Sequence, residues 1–174
     1  MPTNYIKTYN SFLELVHLSE KDRRKSLKSI FDRDITNNAH FKFRTKTIRP
    51  LKKEGLVDME VLFSHLTNKS TQTSNKVKSR TYFDNERSKR LHWLWHHIQE
   101  KSENIVVFSF EDRIRGKNEI RTYIYDEKES YVIILQPQRS KLDYYLLTAY
   151  HLTKELGGLK QMKRKYENKL DEVY

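Results

Sequence analysis

The segment DYYLLTAY at 143–150 carries the side chains best placed to act on a phosphate. With a strand's two-residue period, Leu142, Tyr144, Leu146, Thr148 and Tyr150 point one way, and Asp143, Tyr145, Leu147 and Ala149 the other. Thr148 and Tyr150 then share a face at the strand's end, about 7 Å apart, where two hydroxyls can hold a phosphate or give it a proton. Both are also ordinary strand formers, and period alone favours that plainer role. Two arginines stand earlier in the chain, Arg87 one turn before Leu91 and Arg90 one turn before Leu94. Each can lean over the boundary between its helix and whatever that helix packs on. Such groups suffice to cut RNA without a metal. A base takes the ribose 2′-OH proton, a cation steadies the pentavalent phosphorane, and an acid protonates the leaving 5′-oxygen.

Other chemistries lack their residues. Gly157-Gly158 is a lone glycine pair without a phosphate-cradling fingerprint, and no HExxH occurs. His92 and His96 have metal-ligand spacing, but with no carboxylate ligand nearby they read as surface residues. Phe110-Glu111-Asp112-Arg113 is the nearest approach to a carboxylate metal-nuclease motif, and a poor one. The chain has no cysteine, which excludes disulfides and Cys-containing zinc sites. The expectation is therefore no metal and no cofactor. No apolar run reaches membrane-spanning length, and MPTNYIKTYN lacks a signal-peptide core, so a cytoplasmic protein is expected, or one delivered into a target cell by another machine.

Charge points to the partner. Lys plus Arg number 34 against 23 acidic residues, a net charge of +11 with a pI near 9.7, a field that attracts polyanions. Aromatic residues, 12% of the chain, lie among those charges. The expected nucleic-acid contacts are Arg113, Arg121 and Tyr123 on strands, with Lys76, Lys78 and Arg80 in a polar stretch, Thr67 to Arg80, that reads as an exposed loop.

The elements that must position these groups change character along the chain. Tyr9 to Phe31 spaces Phe12, Leu15, Val16, Leu27, Ile30 and Phe31 as one or two amphipathic helices. Pro50 can start the next helix, and Leu51 to Leu66, broken at Gly55, reads as two short helices resembling a winged-helix half. Asp84 N-caps a helix over Asn85 to Lys101 whose stripe is Leu91, Leu94, Trp95 and Ile98. From Asn104 the period turns to two: NIVVFSFEDRI (104–114), a turn at RGKN, IRTYIYD (120–126), a turn at DEKE, YVIILQ (131–136) and then 143–150. A charged helix over Leu159 to Val173 follows. The pattern predicts an α+β fold: N-terminal helices packed on a C-terminal four-stranded antiparallel β-meander, with a C-terminal helix. A helical region at 1–55 precedes a domain at 56–174, and the two can fold together as one.

The order of motifs resembles the barnase-EndoU-colicin E5/D-RelE-like nucleases, most closely the branches found in phage proteins and bacterial toxin modules. Those branches carry a helix of the form R-x-x-R-(L/I)-x-W, then a meander whose last strand ends in T-A-Y. The matching residues are Arg87, Arg90, Leu91 and Trp93 in DNERSKRLHWLWHHI (84–98), and Thr148, Ala149 and Tyr150 in LLTAYHLT (146–153). The likeness covers about residues 60–155. It implies RNA bound in a groove of the sheet and cut to a 2′,3′-cyclic phosphate. It implies His65, in LFSHL, as acid or base, Arg87 or Arg90 on the scissile phosphate, and Thr148 and Tyr150 polarising that phosphate. His151 would point away from Tyr150 and ranks below them, with His92, His96 and His97 in reserve. The partner expected is RNA, such as tRNA or mRNA, and an enzyme of this kind calls for an acidic inhibitor or antitoxin protein. The competing readings are a non-catalytic module stacking bases on Tyr123, Tyr125, Tyr144 and Tyr145, and a structural phage or mobile-element protein lying near packed DNA.

Overall fold

The computed structural model describes residues 3–53, 56–71, 79–155 and 157–174. Its first long element is helix α1 (Glu20–Phe31), opened by Ser19, whose hydroxyl accepts the Asp22 N–H at 3.1 Å. Glu20 and Asp22 in the first turn suit the positive end of the helix dipole, and Leu27, Ile30 and Phe31 form its buried side. The segment before α1, expected to be helical, is a turn at Thr3–Ile6 followed by irregular chain. Asn4 holds it in place: its amide donates to the Glu14 carbonyl at 2.9 Å and to Ser26 Oγ at 3.0 Å.

Four short strands come next: β1 (Lys42–Phe43), β2 (Lys46–Pro50), β3 (Lys52–Lys53) and β4 (Leu56–Val57). Helix α2 (Met59–Thr67) begins at Asp58, whose carboxylate accepts the Val61 N–H. Of the two helices expected over Leu51 to Leu66, this is the one that forms. The expected loop at Thr67 to Arg80 instead contributes strands β5 (Asn68–Thr71) and β6 (Ser79–Phe83), paired antiparallel. The expected helix over Asn85 to Lys101 is two short ones, α3 (Asn85–Ser88) and α4 (Trp93–Ile98), joined by tighter turns. The break has a tertiary cause, because the Lys89 carbonyl accepts the N–H of Leu13 from the N-terminal segment.

Strands β7 (Ile105–Ile114), β8 (Lys117–Asp126), β9 (Tyr131–Pro137) and β10 (Asp143–His151) follow, then helix α5 (Gly158–Glu167). Between β7 and β8, Arg115 and Gly116 both take positive φ, 48° and 80°, the backbone that a two-residue type I′ turn requires.

The sheet corrects the predicted fold. The α+β class stands, but the sheet is not a four-stranded antiparallel meander with helices preceding it. It has six strands in the order β1-β2-β10-β9-β8-β7 and is mixed. β2 lies parallel to β10, Asp143 opposite Thr47 through Leu146 opposite Pro50, and β1 pairs antiparallel on its outside. The physical reason is that Lys42–Phe43 and Lys46–Pro50, in a polar and mixed stretch, supply the two extra strands. Phe43 and Ile48 are their only deeply buried apolar side chains, too few for a visible alternation.

Two cores flank the sheet. On one face α1, α2 and α4 pack Phe31, Phe63, Leu66, Trp93 and Leu94 against Ile124, Ile133, Leu135, Tyr144 and Leu146. On the other, Met162 of α5 joins Phe108, Tyr123, Val132, Ile134 and Leu152. Residues from both 1–55 and 56–174 enter the first core and the six-stranded sheet. Among the described residues, no helix is long and apolar enough to cross a membrane.

Candidate functional site

The site forms where β10 loses its β2 neighbour. The parallel pairing ends at Leu146 opposite Pro50, and proline has no N–H to extend a ladder. Immediately beyond, the register against β9 slips: Leu146 faces Leu135, but Thr148 faces Ile134, leaving Leu147 as the extra residue of a bulge. The bulge reverses the phase of the strand. Tyr144 and Leu146 stay in the core beneath the helices, whereas Thr148 and Tyr150, opposite Ile134 and Val132, turn toward the α5 face. Thr148 and Tyr150 do share a face, as their spacing implies, but not with Tyr144 and Leu146.

Helices α2 and α3 come to this open stretch of β10. The C-terminal carbonyls of α2 cannot be satisfied within the helix and instead receive donors from α3. Thr67 O accepts the Asp84 N–H at 3.0 Å and the Ser88 hydroxyl at 2.8 Å. Asp84 also caps α3 by accepting the Arg87 N–H. Arg87 is thereby aimed back over α2. Its Nη1 donates to His65 O at 2.7 Å and to Thr148 Oγ1 at 3.2 Å, and its guanidinium lies 5.3 Å from the centre of the Tyr150 ring. A cation at the negative end of α2 is also favoured by the helix dipole. The Nε of Arg87 is buried and has no hydrogen-bond partner among the described residues. Burial pulls the Arg87 pKa down, while the Asp84 carboxylate acts the other way. Free arginine titrates so high that the group stays charged.

Arg87 and Tyr150 line a groove of about 620 Å³ between α3, the sheet and α5. Its other lining groups include Arg121, Tyr123, His151, Lys165 and Lys69. The cationic side chains outnumber the two carboxylates, Asp84 and Glu86, and Glu86 is engaged by Lys89 at 2.7 Å and Arg90 at 3.0 Å. His151 is half-buried, and desolvation lowers its pKa. The charges of Arg90 and Lys89 press it in the same direction, against Glu86 and Glu129. On the α5 side, Lys165 Nζ donates to Asp112 Oδ1 at 2.6 Å and to the Tyr123 hydroxyl at 2.7 Å, and Tyr123 in turn donates to Asp112 Oδ2.

The expected site residues divide. Arg87, Thr148 and Tyr150 meet. His65 joins them through its main-chain carbonyl, which also accepts the Thr148 hydroxyl at 3.4 Å. Arg90 is drawn elsewhere: only 6% exposed, it donates to Glu86 and lies over the rings of Phe12 and Trp93. Arg121 and Tyr123 line the groove, but Tyr123 is 1% exposed and hydrogen-bonded, so its ring is not a stacking platform. Tyr144, 2% exposed, is equally closed to a base. Arg113 is exposed in the opposite phase of β7 from Phe110 and Asp112. Lys76 and Lys78 lie outside the described residues, as does the side chain of Arg80. Of the reserve histidines, His97 is buried between Trp93 O and Asp126, and His92 binds Ser11 O.

Lys165 was not expected from the sequence, and Asp112 entered only as part of a poor metal-nuclease motif. One signal for them was present: Asp112 falls in the same strand phase as Phe108 and Phe110, and a carboxylate in an apolar phase needs a cation to meet it. Among the described residues no three His, Asp or Glu side chains come together as metal ligands. Comparison of the chain with family models, with curated proteins and with solved structures found no match.

Proposed function

We propose that this chain is a metal-independent endoribonuclease whose active site is the groove between α3 and α5. The observation that carries the reading is the fixed guanidinium of Arg87. Two oxygens and an aromatic ring hold it at the groove wall, its Nε makes no hydrogen bond among the described residues and has the Asp84 carboxylate 3.8 Å away, and a hydroxyl and a histidine line the same groove. A preorganised cation of this kind favours a phosphorane, whose extra charge develops only during reaction.

In the proposed mechanism His151, held neutral at physiological pH by burial and by its cationic neighbours, takes the proton of a ribose 2′-OH. The 2′-oxygen bonds to phosphorus, Arg87 stabilises the phosphorane oxygens, and the P–O5′ bond breaks. Tyr150 gives its phenolic proton to the leaving 5′-oxygen and is reprotonated through water by the proton that His151 took up, leaving a 2′,3′-cyclic phosphate and a 5′-hydroxyl. Thr148 and the His65 carbonyl act through Arg87, as positioning groups. RNA is the proposed substrate, and the cationic groove equally suits an acidic protein as a competitive inhibitor. The buried rings of Tyr123 and Tyr144 weigh against a module that stacks bases on the sheet.

The test is incubation of the protein with tRNA and mRNA in EDTA, beside Tyr150→Phe and His151→Ala variants, with the fragment ends analysed. Discrete fragments with cyclic-phosphate ends, lost in both variants, are expected. A His65→Ala variant as inactive as His151→Ala would transfer the acid–base role to the His65 ring. RNA left intact but shifted on a gel would overturn the enzyme and leave a binding protein.

A further inference from the structure

The groove contains a second cation that the chemistry at Arg87 does not use. Arg121 stands on β8 opposite Phe110 of β7, in the phase that faces α5. It is half-buried, and among the described residues its buried Nε has no hydrogen-bond partner. A carboxylate is close by: Asp112 and Arg121 both act electrostatically on the Tyr123 hydroxyl, from opposite signs. That carboxylate is already taken, its two oxygens receiving Lys165 and Tyr123. Lys165 has three N–H donors, of which Asp112 and Tyr123 account for two, and Lys165 lines the groove as well. Arg121 Nε is thus a buried donor in the groove that Lys165 also lines, and the other carboxylate in its phase, Glu119, stands opposite Asp112 two residues along β8. Such a donor costs free energy until an anion satisfies it.

Its placement relative to the first cation is set by the sheet. Arg87 bonds Thr148, Thr148 is opposite Ile134, and Ile134 is opposite Tyr123, two residues from Arg121 along β8. Two strand spacings and two residue rises put the Thr148 and Arg121 Cα atoms about 12 Å apart. Arg87, bonded to Thr148, and Arg121 both line the one groove, and two cations so placed suit two phosphates of a single strand better than one. A groove of about 620 Å³ is a pocket for unpaired nucleotides, whereas a duplex is read over a broad shallow surface.

We propose that Arg121, supported by Lys165, is a second phosphate-binding subsite, so that the substrate is a single RNA strand held by two neighbouring phosphates, one cut at Arg87 and one gripped at Arg121. This rests on the reading of the groove as an RNA site. It makes Arg121 a determinant of substrate length: an oligonucleotide with two phosphodiesters gains over one with a single phosphodiester, and the gain passes through Arg121.

Binding is measured first with DNA, which lacks the 2′-OH and cannot be cut by this chemistry. Calorimetric titrations with dithymidine monophosphate and trithymidine diphosphate, both without terminal phosphates, give the gain directly. The wild-type protein should bind the trimer at least about fivefold more tightly than the dimer, the effect of one added charge-assisted contact. In Arg121→Gln the trimer-to-dimer ratio should fall below about two, and in Arg121→Lys, which keeps the charge, most of it should return. The salt dependence of trimer binding should also become shallower in Arg121→Gln, by about 0.7 in the slope of log K against log salt. A trimer no tighter than the dimer in the wild type, or an equal ratio in wild type and Arg121→Gln, overturns the subsite. Cleavage of the corresponding ribo-trimer in EDTA separates the two claims. An uncut ribo-trimer with an Arg121-dependent ratio removes the nuclease and keeps the subsite; cleavage without such a ratio removes the subsite alone.

Discussion

Replacing Arg87 by lysine separates a catalytic cation from a structural peg. In the native protein one guanidinium nitrogen serves both His65 O at 2.7 Å and Thr148 Oγ1 at 3.2 Å, and the plane of the group lies over Tyr150. A lysine keeps the charge and reaches one of those oxygens, but not both together with the ring, since it is a point donor on a flexible stem. The structural loss is then one charged hydrogen bond and most of a cation–π contact, a net of about 1–2 kcal/mol. That should shift the urea midpoint without loss of the fold. The kinetic loss should be larger. Removing one preorganised donor from a transition state that develops charge costs about 3–4 kcal/mol, so the single-turnover cleavage rate in EDTA should fall roughly 100- to 1,000-fold. Thr148→Val should produce a weaker version of the same loss, because it frees Arg87 from one of its two oxygen partners while leaving the charge in place. If Arg87→Lys unfolds earlier but cleaves within about threefold of the wild type, Arg87 merely caps α2, and the assignment of its charge to the phosphorane is wrong.

Other consequences follow from the buried polar groups. His97 and Asp126 are each 1% exposed and 2.9 Å apart, and His97 Nδ1 already donates to Trp93 O. Asp126→Ala, which strands the imidazole in the core, should therefore cost about 3–5 kcal/mol in urea unfolding. Asp126→Asn keeps a hydrogen-bonding partner and should cost less than half of that; equal losses would refute the paired arrangement. His92 is held near pKa 4 by burial, below its unfolded value of 6.5. The unfolded chain thus binds the extra proton first, and stability should be full above about pH 6.5 and decline toward pH 4, by at most about 1.4 kcal/mol per pH unit for this group. His92→Gln should flatten that decline. The His151 pKa is lowered as well, so cleavage that uses His151 as base should remain at its plateau at pH 7 and fall off only below the ordinary histidine range. An acid limb centred above 6.5 would exclude His151 as that base.

The parts of this fold that were legible in the sequence are those where one physical signal dominates. Strands β7 to β10 could be placed within a few residues because β7 and β8 alternate, β9 is a short apolar run closed by Pro137 and β10 alternates on each side of its bulge, and RGKN fixed the first hairpin. Lys42–Phe43 and Lys46–Pro50 could not, because their basic residues face outward and only Phe43 and Ile48 are deeply buried. The stretch after Asp84 has helical spacing and does turn helically, but no local rule foretells that Lys89 O is claimed by Leu13 across the fold. The same holds for the arginines. Arg87 and Arg90 are equivalent in the sequence, one turn apart at the edge of a stripe. What divides them is tertiary: the end of α2 lies under one, and Glu86, Phe12 and Trp93 surround the other.

The site owes its existence to two departures from regular structure in neighbouring strands. Pro50 ends the parallel ladder at Leu146, so the last residues of β10 keep one side open for α2 and α3. The bulge at Leu147 then turns Thr148 and Tyr150 away from the helical core toward α5. Either alone would fail. With the ladder continued, another strand would stand where Arg87 approaches; with the period unbroken, the two hydroxyls would be sealed in the core with Tyr144 and Leu146. A fixed period read across the bulge pairs Thr148 with Tyr150 correctly because both lie on its far side, and misplaces both relative to everything before it. Short motifs such as Thr148-Ala149-Tyr150 can therefore be informative where the long pattern misleads: the proposed chemistry rests on the two residues beyond the bulge, and the packing on those before it.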